Sequence, residues 1–397
     1  MKASKLANIL FISAFLTFIF VIMVVTIAKP KLKVSYYENR ELAQQPELDA
    51  RAMLDSSYFY RWERFFADQA AGRATLVRLG TLIDLEVIKR PVVNEVIRSG
   101  GIYLGFNEFE SVDPVLIRSQ SKEIVGELSA LNEVITSYGG VLYYVTVPSH
   151  YSWYADKYPW YLNNRKEYTE ASLEAFTSDM YDAGIGLIEM KEILAGIEEP
   201  PPLFFSSDHH FTFRGAYETY RAIINRVNGD GKYDLPLLDG KDLSFLPLEN
   251  PFLGSRLRKI LGIPGITERT EIAIPHEEIP FTRTDRGKTW EVPSVYSLPQ
   301  NGWDVIDYHI YMNGDISETV IDTGRQLPSV LIYGDSYTNA VECLMYLSCG
   351  VMRSVDLRDY KDMSLAEYVE TYKPDIVVGI RGYEVLLEMT GNGVLMS

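Results

Sequence analysis

Val330-Leu331-Ile332-Tyr333-Gly334-Asp335-Ser336 is a short apolar run stopped by a glycine and two polar residues. Four apolar residues in succession are too few for a helix and read as a buried strand bounded by a turn. The pattern continues outward from that point. Residues 337–347 have a helical pattern, Ser354–Leu357 reads as a short strand, and Ser364–Tyr372 as a helix closed by Pro374. Ile376–Ile380 is a last apolar strand. Upstream the rhythm recurs. The strand Val141–Val147 stops at Pro148, a helix is predicted around Glu170–Tyr181, and a second strand at Ile185–Ile188. Strands alternating with helices imply βαβ units and a parallel sheet.

Residues 230–328 break the rhythm. They are rich in Pro, Gly and Thr and contain alternating stretches such as Glu271-Ile272-Ala273-Ile274, which predict a β-rich insertion. Before residue 100, Asp49–Leu85 reads as helical, with Leu54, Phe59, Trp62, Phe65 and Phe66 mostly three or four apart. The expected fold class is α/β: a parallel sheet flanked by helices, with a β-rich insertion at about 230–328, preceded by one N-terminal transmembrane helix.

Between Leu6 and Ala28 there is no charged side chain. About 20 apolar residues rising 1.5 Å each cross the roughly 30 Å hydrocarbon layer. A secretory signal would have a shorter apolar core and small residues before its cleavage point; here the run is longer, β-branched to its end, and closes on Thr26-Ile27-Ala28. An uncleaved anchor is therefore expected. Lysines flank it on both sides (Lys2 and Lys5; Lys29, Lys31 and Lys33), so charge alone does not set the orientation. The short head and long remainder favour a single-pass chain with its bulk outside. The expected organisation is a cytoplasmic head at 1–6, an anchor at 7–28, a juxtamembrane and helical lead-in at 29–100, and an α/β domain at 101–397. A net charge of −16 with no basic stripe argues against nucleic acid. Two cysteines, Cys343 and Cys349, exclude a disulfide framework, and low cysteine use fits a bacterial surface protein.

Two clusters offer chemistry. Gly334-Asp335-Ser336 lies between a strand and a helix, at the carboxyl end of a parallel strand where sites gather. A serine there exposes its hydroxyl, and its own N–H at the mouth of the helix can face an oxyanion. The alternative is a plain turn capping the helix. The second cluster is Asp208-His209-His210-Phe211-Thr212, after Phe204-Phe205-Ser206-Ser207 and before a helix-like stretch, Ala216–Val227. If extended, it puts Asp208 and His210 on one side and His209 on the other. An Asp beside a His fixes its tautomer and stabilises the imidazolium, as a serine nucleophile requires. A solvated loop with Thr212 as helix cap, or a zinc site on Asp-His-His, are the alternatives. No second cluster has ligand spacing, so neither metal nor other cofactor is expected.

The Asp-His-His-aromatic-Thr block resembles the signature of the Gram-positive DHHW family, itself similar to the SGNH-like alginate O-acetyltransferase proteins with their Asp-x-His-Trp block. In those proteins the Asp/His pair precedes the Gly-Asp-Ser nucleophile, as Asp208 and His210 precede Ser336 here. Glu38-Asn39-Arg40 with Leu42, Phe65-Phe66-Ala67-Asp68 with Gly72-Arg73, and Val147-Pro148-Ser149 through Tyr158-Pro159 resemble further family segments. The resemblance implies an SGNH-hydrolase-like sheet with Ser336 as nucleophile, His210 as general base and Asp208 as its orienting acid. Phe211 stands where the family usually has Trp, and the Gly and Asn blocks that supply further oxyanion donors in SGNH enzymes are not evident. Ser336 N–H is the expected donor. Arg381, read as lying just past the last strand, is either a second group at that edge or an ordinary surface arginine.

The loop His150-Tyr151-Ser152-Trp153-Tyr154, continuing to Trp160-Tyr161, follows the carboxyl end of a strand. Exposed aromatic faces there would suit sugar rings; the alternative is packing of the domain's cover. His150 is a possible alternative base. The expected function is an extracytoplasmic enzyme that transfers or removes an O-acetyl group on a cell-surface polysaccharide. A multi-spanning membrane acyltransferase is implied as partner if the reaction is transfer. The competing expectation is a non-catalytic glycan-binding or cell-envelope scaffold on the same fold, which Ser336 and His210 lying beyond hydrogen-bond reach would favour.

Overall fold

The strand predicted from Val330 onward is the middle of an eight-stranded sheet in a computed structural model of the chain. The structure describes residues 2–38, 40–106, 112–162, 165–198, 201–388 and 394–396; Met1 of the head and Asn39 of the juxtamembrane motif lie outside the described residues. The sheet strands are β1 (Val141–Val147), β2 (Gly186–Glu189), β3 (Thr282–Asp285), β4 (Lys288–Thr289), β5 (Glu318–Asp322), β6 (Val330–Gly334), β7 (Val351–Val355) and β8 (Ile376–Gly382). Their order is β4-β3-β5-β7-β6-β8-β1-β2. From β7 to β2 all pairs are parallel; β5, β3 and β4 extend the β7 edge in antiparallel fashion.

The expected parallel sheet is thus five strands wide, and the stretch 230–328 supplies all three antiparallel strands that extend it. The run Glu271–Pro275 is a strand, paired with Leu243–Pro247 in a separate ribbon. Arg381 belongs to β8 itself rather than to the loop after it.

Alternation along the buried strands feeds two cores. Val330, Ile332, Val378 and Ile380 face one side, with helices Phe213–Gly229 and Tyr337–Met345. Leu331, Tyr333 and Val377 face the other, with Pro114–Ser137, Lys166–Asp182 and Leu365–Tyr372. Burial on both faces explains why the strands read as continuous apolar runs.

By internal contacts the chain divides into Met1–Asn94 with Arg258–Pro264, and Glu95–Leu257 with Gly265–Ser397. In the first unit, Lys2–Ala28 is one helix, long and apolar enough over Lys5–Ala28 to cross a membrane. The stretch read as a single helical region, Asp49–Leu85, is broken into Ala50–Leu54, Ser57–Gln69 and Arg73–Leu82, the last running on as a π-helix over Ile83–Ile88. The breaks fall at Ser56 and Gly72, whose φ of 66° and 80° no regular right-handed helix accommodates.

Candidate functional site

The two sequence clusters meet at the carboxyl end of β6. Gly334, which ends that strand, has no room for a side chain, since a Cβ there would lie 2.2 Å from the Ile380 carbonyl oxygen. The chain then turns into the helix Tyr337–Met345. Asp335 caps this helix, its Oδ1 accepting the Tyr337 N–H at 3.0 Å. Ser336 makes no capping bond, so its hydroxyl remains at the helix mouth. The cap and the uncommitted hydroxyl, on a half-buried serine, are therefore adjacent residues rather than alternatives.

The hydroxyl points to His210. Ser336 Oγ lies 2.7 Å from His210 Nε2, and His210 Nδ1 lies 2.6 Å from Asp208 Oδ1. A carboxylate accepts only, so Nδ1 carries the proton and Nε2 accepts from the serine hydroxyl. Asp208 Oδ1 also accepts the His210 backbone N–H at 3.1 Å, and Oδ2 accepts the Ser255 N–H at 2.5 Å. Burial by itself would raise the Asp208 pKa; the neighbouring His209 and His210, with their hydrogen bonds, outweigh it and hold the carboxyl well below its usual range. Burial, followed by the proximity of His209, pushes His210 down to about 4, against the opposing pull of Asp208.

These residues are not extended, contrary to the alternation argument. Residues 206–210 bend, and Phe204 and Phe211 pair across the bend, with Thr212 N–H donating to the Leu203 carbonyl at 2.9 Å. The bend brings His209 to the same carboxylate, Nδ1 to Asp208 Oδ1 being 3.2 Å. His209 Nδ1 is also 2.7 Å from Ser255 Oγ. The three side chains could converge on an ion, but Asp208 and His210 already bind each other and their protein partners through the same atoms. Thr212 caps the following helix through Gly215 N–H, as expected of it.

Several supporting residues had no sequence signal, because they come from remote segments. The Glu268 carboxylate accepts N–H and O–H from both Ser206 and Ser207: 2.6 and 3.0 Å at Ser206, 3.1 Å from Ser207 N–H, and a close contact with Ser207 Oγ. Burial raises its pKa despite those donors. The chain at 254–257 wraps over the same bend, with Arg256 N–H donating to the Ser207 carbonyl at 2.9 Å. Gly254 permits this approach, since a Cβ would sit 2.3 Å from Ser207 backbone atoms. Tyr308 stacks flat on His210, rings 3.7 Å apart and 5° from parallel. Tyr337 donates its hydroxyl proton to the His209 carbonyl at 2.6 Å. Phe211, where the resembling family has Trp, is fully buried and meets Tyr337 edge-on at 5.1 Å.

The remaining candidates fall elsewhere. Arg381 is 2% exposed, not a surface arginine, and its guanidinium pairs with Asp335 Oδ2 at 3.5 Å. His150 and Tyr151 are buried and offer no exposed ring. His150 hydrogen-bonds the Phe205 carbonyl at 3.0 Å through Nε2, and burial lowers its pKa to about 3. Tyr151 accepts the Arg165 N–H at 2.6 Å. Trp153 and Tyr154 are half-buried; Trp153 stacks on Phe204 at 4.9 Å and Tyr154 donates to the Phe204 carbonyl at 3.1 Å. This loop therefore buttresses the bend that carries Asp208 and His210. Trp160 and Tyr161 are its exposed aromatics.

Comparison with known proteins bears on the fold. Residues 107–241 match the family described as SGNH hydrolase-like domain, acetyltransferase AlgX. That span includes Asp208 and His210 and ends before Ser336. No curated protein matches the chain. Among solved structures, Bacillus cereus PatB1 with a sulfonyl adduct is 19% identical, with a TM-score of 0.62 over 75% of this chain and 97% of that one. A DHHW family protein from Eubacterium siraeum is 17% identical, with a TM-score of 0.56 over 77% of this chain and 97% of that one. The chain is thus similar to the SGNH hydrolase-like acetyltransferase domain over residues 107–241, and to PatB1 and a DHHW family protein in its fold.

Proposed function

We propose that the chain is a membrane-anchored, extracytoplasmic serine enzyme that transfers an O-acetyl group to a cell-surface polysaccharide. In this reading Lys2–Ala28 stays in the membrane as the anchor, Ser336 is the nucleophile, His210 the general base and Asp208 its orienting acid. One observation carries it: the continuous relay from Ser336 Oγ through both His210 nitrogens to Asp208, at 2.7 and 2.6 Å. A glycan-binding scaffold has no need of that geometry.

In the first half-reaction Ser336 Oγ attacks the acetyl carbonyl while its proton passes to His210 Nε2. The tetrahedral oxyanion is held by the Ser336 N–H at the helix mouth. Collapse breaks the bond to the donor's leaving group, which takes the proton from His210, and leaves acetyl-Ser336. In the second half a sugar hydroxyl gives its proton to His210 and attacks the ester; Oγ leaves and is reprotonated. Asp208 stabilises the imidazolium in both halves. Arg381 acts one step back, by fixing Asp335 and so the turn that carries Ser336. A donor outside the membrane implies a multi-spanning acyltransferase partner that exports the acetyl group.

The test is acyl-enzyme formation. The full chain in detergent is incubated with a chromogenic acetyl ester and with a sulfonyl fluoride, the latter because PatB1 holds a sulfonyl adduct. Mass spectrometry is expected to find one acetyl or sulfonyl group on Ser336, and neither on Ser336→Ala. Ester turnover is expected to fall by about 10³-fold or more in Ser336→Ala and His210→Ala. Adducts and turnover that persist in folded Ser336→Ala would refute this assignment. Transfer is separated from hydrolysis by adding an oligosaccharide acceptor and measuring acetylated sugar against free acetate.

A further inference from the structure

The helix Arg73–Leu82 and its π-helical continuation Ile83–Ile88 wear their apolar stripe on the outside. Leu76, Leu79, Ile83 and Val87, spaced three and four apart, are 67, 49, 38 and 73% exposed. The opposite side, with Thr81 and Leu85, is the buried one. A helix on a water-facing surface turns its apolar stripe inward, so something apolar is expected to cover this one.

Its position says what. Ala71, two residues before the helix, donates its N–H to Thr26 Oγ1 at 2.9 Å, within the last turn of the apolar helix Lys2–Ala28. Thr26 is fully buried by this contact region. Lys31 folds back to close the same end, its ammonium donating to the Thr26 and Ile27 carbonyls at 2.8 Å each. The outward apolar stripe therefore starts at the level where the span leaves the hydrocarbon. Charge agrees. Outside the span, residues 29–94 and 258–264 carry 13 basic and 9 acidic side chains, whereas residues 95–257 and 265–397 carry 23 and 45. The basic surplus sits beside the membrane end, where anionic headgroups attract it, and the acidic bulk is in the other unit.

We infer that the Arg73–Ile88 helix is an interfacial helix whose Leu76-Leu79-Ile83-Val87 stripe is buried in the headgroup and acyl boundary of the outer leaflet. A second point of membrane contact orients the first unit on the bilayer, where a single span would leave it free to rotate. This rests on Lys2–Ala28 remaining as an anchor, but not on any assignment of catalytic residues.

The test uses the full chain in vesicles of phosphatidylcholine and phosphatidylglycerol. A polarity-sensitive fluorophore is attached through single substitutions Ile12→Cys, Leu76→Cys, Val87→Cys and Trp303→Cys; Cys343 and Cys349 are buried and do not compete. Nitroxide on the lipid chains and iodide in the water act as quenchers. Labels at 12, 76 and 87 are expected to be quenched at least twofold by nitroxide and little by iodide, and the label at 303 only by iodide. Quenching at 76 and 87 by iodide alone, with position 12 quenched by lipid, overturns the inference and leaves the anchor intact. Quenching by neither agent means that protein, such as a second copy, covers the stripe, and also overturns it. Loss of lipid quenching at position 12 removes the anchor and the inference together. Because 76 and 87 are both exposed, disagreement between the two counts against the stripe as a unit.

Discussion

His210 is held at both ring nitrogens, with the Tyr308 ring stacked on it and the His209 ring centred 3.7 Å away, and its chemistry follows from that confinement. In the proposed reaction a neutral imidazole is the base, and burial moves the protonation of His210 from an ordinary value near 6.5 to about 4. The acid limb of kcat/KM for acetyl ester turnover is therefore expected near pH 4 rather than pH 6.5, measured over pH 3.5–8 in buffers of constant ionic strength. The same depression has a stability consequence. The unfolded chain binds the proton more tightly, so this group's share of folding stability is intact above about pH 6.5 and drains away as pH falls toward 4. Urea midpoints taken between pH 7 and 4 are expected to fall more steeply for the wild type than for His210→Gln. Glu268 makes no contact with Ser336 in this geometry; it acts through the Ser206-Ser207 bend. Glu268→Gln removes half the acceptor capacity and is expected to lower kcat on the order of 10²-fold through misplacement of Asp208, with KM nearly unchanged. A change confined to KM would contradict a positioning role.

At the level of elements, what was legible in the sequence was what local pattern encodes. Val141–Val147 is a strand with the predicted bounds, and Val330–Gly334 and Ile376–Gly382 were visible as apolar runs because both their faces are buried. The helix Pro114–Ser137 drew no reading, although Asp113 caps it, Pro114 starts it, and Ile117, Ile124, Leu128, Leu131 and Ile135 mark its buried face. Ser336, His210 and Asp208 were legible as residue types in two loops. Ser255, Glu268 and Tyr308 were not, since their roles depend on how residues 230–328 fold back, and no local periodicity encodes that. Buried charge was equally silent. Arg283 on β3 is fully buried, pairs with Asp285 at 3.0 Å, and donates to the Ser294 and Met312 carbonyls at 2.6 Å each. It ties the antiparallel edge to the segment leading to Tyr308. Arg283→Ala is expected to cost roughly 3–5 kcal/mol of stability, read from denaturant midpoints, because it removes the cation paired with Asp285 and the donors to the Ser294 carbonyl and the buried Met312 carbonyl.

Over the whole molecule, charge is divided between the two units, with 45 acidic against 23 basic side chains in the unit that bears Ser336. Such a field repels polyanions beyond contact distance and is screened by salt. For a polyanionic acceptor, KM is expected to fall severalfold as ionic strength rises from about 10 to 150 mM, while a neutral oligosaccharide shows little change. The stack of Tyr308 on His210 has a different reach. A ring clamped in this way cannot swing between two positions to serve two partners. As the proposed base it would return every proton at the place where it collected one. In the proposed reaction the departing donor and the arriving sugar hydroxyl would therefore use the same doorway in turn, each excluding the other. If Ser336 and His210 act as proposed, ping-pong kinetics are expected, with excess acceptor competing with the donor for the resting serine and double-reciprocal plots at several acceptor concentrations running parallel.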